Sequence, residues 1–357
     1  MPKNTEYSQI RASAKDLTSL RIIFQGDAGG RAAILRISPY LALFFLSTMI
    51  SSCSHSTVSP PGPFVVCDAG SGYSSLANNK RFGIFAESFY GNYDVALDSM
   101  TQLLGVKPQY TLWYQQIDDV FPATAVHTNA TRGINTVIGI NISSFAVDSI
   151  RNDTLLEEVA HGKWDAALSQ FAAEATQSGA PVYLRFGYEM NGTWFPWGGK
   201  PGMFVAAWLH ARHVFWLQGA SNVSWVFCPG ALSPGQTIAS DITPYYPGDT
   251  AVDIVGVDGY NYGDAYDKYH SWESFDDIFR LTLPGLHAIG KPLWICETAC
   301  PSDPRRPAWI AGMLDFLDNN PCVETVLWFN DHKSMEPDFR LESDTASLDE
   351  MRTWLSH

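Results

Sequence analysis

The chain has 357 residues, 46% of them hydrophobic, and a formal net charge of −14. Such a length holds one large domain or two ordinary ones, and its apolar content can bury a sizeable core. Residues 1–52 carry six Lys/Arg and three Asp/Glu, leaving 17 against 34 for residues 53–357; so acidic a body repels phosphate backbones and anionic lipid, which argues against nucleic acid as a partner.

The N-terminal stretch reads as a leader. Arg31 and Arg36 precede an apolar run, Ile37 to Ile50, too short to span a bilayer but suited to the core of a signal peptide. The run ends Ile50-Ser51-Ser52-Cys53, which resembles the lipobox of bacterial lipoproteins and implies lipid attachment at Cys53. An ordinary signal peptide with a chance Cys is the alternative. Ser54 to Pro63, rich in Ser and Pro, reads as a flexible tether. The expected organisation is therefore a leader over 1–52, a lipid-attachment Cys and tether over 53–79, and one domain over 80–357. The protein is expected to be exported, and to meet a membrane through a lipid anchor only.

From residue 82 onward, short apolar runs alternate with helical patterns. The strand candidates are Phe82–Ala86, Tyr110–Tyr114, Thr136–Ile140, Val182–Gly187, Val223–Phe227, Ile254–Val257, Leu293–Cys296 and Thr325–Phe329. Lys163–Ser178, Met203–Gln218, Phe275–Ile289 and Ala308–Asn319 carry apolar residues at three- and four-residue spacing and read as helices. Strands alternating with helices point to parallel βαβ units. Eight of them over about 250 residues fit a closed (β/α)₈ barrel in the α/β class better than an open sheet.

Polar residues gather where these runs end: YEMNG follows VYLRFG, DGYNYG follows IVGV, ETA follows LWIC, and ND follows VLWF. In a barrel this rim carries the chemistry. A carboxylate ending an apolar strand is costly to desolvate, so Glu189 and Glu297, closing the fourth and seventh runs, need a reason to be there. A structural ion pair is one. The other is a pair of carboxyl groups converging over the barrel mouth, one protonated and one ionised, kept so by their mutual repulsion. Arg185, mid-strand, serves either a buried ion pair or a substrate contact.

Five cysteines follow Cys53: Cys67, Cys228, Cys296, Cys300 and Cys322. An odd number in an exported protein leaves at least one thiol free, and Cys300–Cys322 is a candidate disulfide. No cysteine or histidine spacing suits zinc. Gly285 to Lys291 imitates a phosphate-binding loop but has Pro292 where Ser/Thr is required, and it leads from helix to strand. Its glycines read better as a helix end. His210 and His213 share a helix face without a carboxylate to complete a metal motif.

PVYLRFGYEMNGTWFPWG resembles the acid/base segment of glycoside hydrolase family 26, the β-mannanase family within the retaining (β/α)₈-barrel clan. KPLWICETA resembles its nucleophile segment and VDIVGVDGYNYG its sixth-strand segment. The similarity spans roughly residues 80–335. It implies a retaining endo-β-glycosidase that hydrolyses a β-linked polysaccharide, β-1,4-mannan first, with β-glucan or β-xylan as alternatives. Such chemistry needs two carboxyl groups about 5–5.5 Å apart and no cofactor or metal. By resemblance Glu189 is the acid/base and Glu297 the nucleophile. Tyr260 would bond the nucleophile, Trp328 would be the platform beneath the sugar, and Trp194 and Trp197 would line the cleft. Asn191 is a sugar contact or a turn residue. Tyr188 stands where many members have His, and it bears on the substrate. The expected partner is a polysaccharide or oligosaccharide, bound by a monomer. A non-catalytic surface glycan-binding lipoprotein is the competing reading.

Overall fold

The computed structural model describes residues 64–67, 81–146, 149–264, 266, 271–334 and 336–356. The leader, Cys53 and most of the tether lie outside the described residues. Eight strands close into a parallel barrel in sequence order: β1 (Arg81–Ala86), β2 (Tyr110–Gln116), β3 (Asn135–Asn141), β4 (Val182–Phe186), β5 (Val223–Phe227), β6 (Ile254–Tyr260), β7 (Leu293–Ala299) and β8 (Val323–Asn330). Closure is by β1 against β8, paired from Arg81–Thr325 through Ala86–Asn330. Each strand expected from the sequence is present, extended at half of the ends, unchanged in β5 and shorter by one residue at the end of β4.

Helices α1 (Tyr93–Leu104), α2 (Ala123–Arg132), α3 (Ser149–Ala160), α4 (Asp165–Ser178), α5 (Pro201–Leu217), α6 (Phe275–Phe279), α7 (Leu283–His287), α8 (Arg306–Asn319) and α9 (Thr345–Leu355) lie between and after the strands. One departs from expectation. The single helix expected over Phe275–Ile289 breaks into α6 and α7, with Pro284 at the start of the second, where its missing N–H costs nothing. Gly290 (φ +78°) terminates α7 as expected, whereas Gly285 lies inside it, packed against Ile238.

Alternation along each strand sorts the core into two shells. Tyr110, Tyr183 and Trp294 come from β2, β4 and β7, which are not neighbours, yet their ring centroids lie 4.9–5.7 Å apart. They therefore meet inside the barrel and fill its lower part. The outward residues Phe186 and Trp225 pack on Trp208 of α5.

The N-terminal side contributes one clasp. Phe64 stacks on Phe316 of α8, Val66 N–H donates to Asn320 Oδ1 (2.6 Å), and Cys67 forms a disulfide with Cys322. Phe64–Cys67, within the stretch assigned to the tether, is thus docked on the barrel. The Cys300–Cys322 pairing considered from sequence does not form: Cys228, Cys296 and Cys300 are free and buried.

Candidate active site

Strand ends bring the polar residues together. Two residues beyond the inward Tyr183, alternation points Arg185 to the interior, where it is fully buried. Its Nη1 donates to Glu297 Oε1 at 2.5 Å and its Nη2 to Asp258 Oδ2. Burial works against the guanidinium charge, but the two carboxylates more than offset it and hold its pKa well above the ordinary value. Of the two roles left open for Arg185, the structure shows the buried ion pair.

Glu297 reaches the interior through a register irregularity. On one side Val257 pairs with Ile295 and Asp258 with Glu297; on the other, Ile295 pairs with Val326 and Thr298 with Trp328. Relative to both neighbours β7 holds one extra residue, a bulge that re-aims the following side chain. Tyr260 O–H donates to the other carboxylate oxygen, Oε2. Burial, then Glu297, holds the Tyr260 phenol well above its usual range, so it remains a donor. Both oxygens of Glu297 are thereby fixed.

Glu189 sits one turn beyond β4 with φ +50°, the only non-glycine residue at positive φ among the described residues. This conformation costs about 1 kcal/mol or more and is found where a site over-determines it. Its N–H is fastened to Cys228 O at 2.8 Å, and Trp194 Nε1 donates to Oε2 at 2.5 Å. Burial, followed by the charge of Glu297, raises the Glu189 carboxyl to about 7; the Trp194 bond, Arg185 and Lys333 oppose the rise. The result is a carboxyl that holds a proton near neutrality beside a second, firmly oriented carboxyl. That arrangement can protonate a leaving group and attack an electrophilic carbon.

Residues around the pair divide into cleft and support. Trp194 is 64% exposed and offers a face to a ligand. Tyr188 donates to Asn141 Oδ1 (2.8 Å) and lies beneath Arg185, whose guanidinium carbon is 4.8 Å from the ring centroid. Asn191 exchanges two bonds with Gly230, through its Nδ2 to the carbonyl (2.9 Å) and its Oδ1 from the N–H (2.8 Å), so it pins the β5 loop. Of its two readings, the backbone one is seen.

Two tryptophans expected in the cleft are elsewhere. Trp197 is buried, stacked on Phe195 with centroids 4.5 Å apart, and donates to Tyr188 O at 2.7 Å. Trp328 has no exposure; its indole donates to Phe339 O and packs on Trp309 of α8. The cause is strand alternation. Leu327 points inward, against the space above Gly83, so Trp328 must point out and Phe329 in. Phe329 stacks on Phe85 (4.6 Å) and lies edge-on to Tyr260 (5.8 Å). Sequence reading missed Phe329, and also Asp258, although an Asp ending an apolar run is the same signal that marked Glu189 and Glu297.

Outside this site, His210 pairs with Asp165 (2.6 Å) and His213 stacks on Trp216, so each has a local partner.

The sequence model of Glycosyl hydrolase family 26 matches residues 114–288. The chain is similar to that family over just under half of its length. The matched span includes Glu189 and ends before Glu297. Among relatives, Endoglucanase H of Acetivibrio thermocellus is 30% identical over 200 residues, covering 54% of this chain and 22% of that protein. Mannan endo-1,4-β-mannosidase of Bacillus subtilis strain 168 is 28% identical over 153 residues, covering 40% of this chain and 37% of that one. The chain thus spans well under half the length of either. A Cellulomonas fimi endo-β-1,4-mannanase double mutant shares the fold, with TM-score 0.63 at 18% identity, over 79% of this chain and 72% of that one.

Proposed function

We propose that this chain is a family 26 retaining endo-β-glycosidase that cleaves a β-linked polysaccharide, β-1,4-mannan first, with Glu189 as acid/base and Glu297 as nucleophile. The observation that carries the reading is the asymmetry of the pair: Glu189 is raised to about 7, while Glu297 has both oxygens fixed by Arg185 and Tyr260.

In this mechanism Glu297 attacks the anomeric carbon as Glu189 gives its proton to the leaving oxygen, breaking the glycosidic bond and leaving a sugar ester on Glu297. Glu189, now ionised, takes a proton from water, which hydrolyses the ester and restores both groups. Trp194 offers its exposed indole face to a sugar ring. Its N–H steadies the carboxylate that Glu189 becomes.

A β-glucan substrate is the second reading, supported by the similarity to an endoglucanase and by Tyr188 in the place of a histidine. β-Xylan stands behind it. A non-catalytic glycan-binding lipoprotein would have no use for a carboxyl poised near neutral pH. The Cys67–Cys322 disulfide supports export, since such bonds persist in oxidising compartments; lipidation at Cys53 remains part of the proposal. Release of reducing sugar from mannan, β-glucan and xylan tests the reading. Turnover of one of them, abolished by Glu189→Ala and by Glu297→Gln, is expected; turnover surviving either change would refute it.

A further inference from the structure

The barrel interior beneath Glu297 holds a thiol that the catalytic scheme leaves unused. Cys228, the residue after β5, is buried, and its Sγ lies 3.2 Å from Asp258 Oδ1 and 3.6 Å from Arg185 Nη2. Asp258 Oδ2 is occupied by the same Arg185 nitrogen, and Arg185 Nη1 continues to Glu297. The sulfur therefore closes a triangle: it accepts from Arg185 and donates to the one Asp258 oxygen that Arg185 does not reach. Gly256 on β6 makes room for the neighbouring thiol, since a Cβ there would lie 2.3 Å from Cys296 Sγ, and it would only touch Cys228 Sγ, at 3.5 Å. Burial pushes the Cys228 thiol well above its ordinary range, so it keeps its proton and serves as a donor.

We propose that Cys228 is a positioning residue for the nucleophile, its S–H holding Asp258 so that Asp258 fixes Arg185 and Arg185 fixes the Glu297 carboxylate. A buried carboxylate with one oxygen unsatisfied is costly and rotates to find a partner. Without the thiol, Asp258 is free to turn, and the guanidinium plane that presents Nη1 to Glu297 turns with it. Cys228 acts at a distance from the sugar, so binding is left intact while attack on the anomeric carbon slows.

The proposal rests on Glu297 being the nucleophile, and the experiment separates the two claims. Cys228→Val keeps the volume and removes the donor; Cys228→Ser restores an O–H donor; Glu297→Gln tests the chemistry itself. All are assayed on the polysaccharide the wild type cleaves, and with a 2-fluoro-glycoside that traps the covalent intermediate. Cys228→Val is expected to lower kcat and the trapping rate about tenfold, the scale of one hydrogen bond to a charged group, with KM unchanged. Cys228→Ser should recover most of the loss. Circular dichroism melts should show both variants folded at the assay temperature. If Cys228→Val matches the wild type while Glu297→Gln is inactive, the positioning role is wrong and the catalytic assignment stands. Equal loss in the Val and Ser variants, or a change in KM alone, also overturns it. Full activity of Glu297→Gln overturns both.

Discussion

Trp194 Nε1 donates to Glu189 Oε2 at 2.5 Å while the ring it belongs to is 64% exposed. One side chain thus meets solvent with its face and tunes a carboxyl with its edge. The bond favours the ionised form of Glu189 and opposes the rise caused by burial and Glu297. Trp194→Phe keeps an aromatic face and removes the donor, so it should raise the Glu189 pKa further. The alkaline limb of the kcat/KM profile, expected near pH 7 in the wild type, should move to higher pH in the variant. Rate profiles between pH 4 and 10 check it.

Glu189 also links stability to pH. Its carboxyl titrates at 4.5 unfolded and about 7 folded. Below the first value both states are protonated and the group is neutral to stability. As pH rises from 4.5 to 7 the unfolded chain ionises first, so the folded state loses stability, and above 7 the loss is complete. Glu189→Gln removes this penalty. Its melting temperature should exceed that of the wild type by an amount that grows from pH 4.5 to 7 and then levels off, read by calorimetry across that range.

Trp328 lies on the helix-facing side of β8. Trp328→Phe should therefore destabilise by about 1–3 kcal/mol, from lost volume and the lost bond to Phe339 O, with KM for polysaccharide unchanged. Denaturant titration beside steady-state kinetics separates this from a platform role, which would raise KM instead.

The clasp should act on stability alone. Cys67 and Cys322 are 255 positions apart, and the bond closes almost the whole barrel into one loop. Cys67→Ser should cost about 2–4 kcal/mol, seen as a lower denaturant midpoint, with kcat and KM unaltered at 25 °C. Phe64 stacking and the Val66–Asn320 bond retain the segment in part.

The barrel was legible because its signals are local. Eight apolar runs with polar ends mark strands whatever surrounds them, and Glu189 and Glu297 stood out because a carboxylate at such an end is unusual. What escaped needed the inside of a strand told from its outside. One residue of parity decides between Trp328 and Phe329, and only the neighbour Leu327, seated above Gly83, settles it. Likewise the bulge in β7 that turns Glu297 inward is a matter of register between strands. Cys322 found its partner not in nearby Cys300 but in Cys67, brought close by the docking of Phe64 and Val66. Those are long-range facts.

The most direct test of the central claim is the anomeric configuration of freshly released product, followed by proton NMR before mutarotation sets in. With Glu297 attacking and water displacing it from the same face, the β anomer appears first and the α anomer grows in later. The α anomer appearing first would mean a single displacement by water, and would contradict the roles given to Glu189 and Glu297.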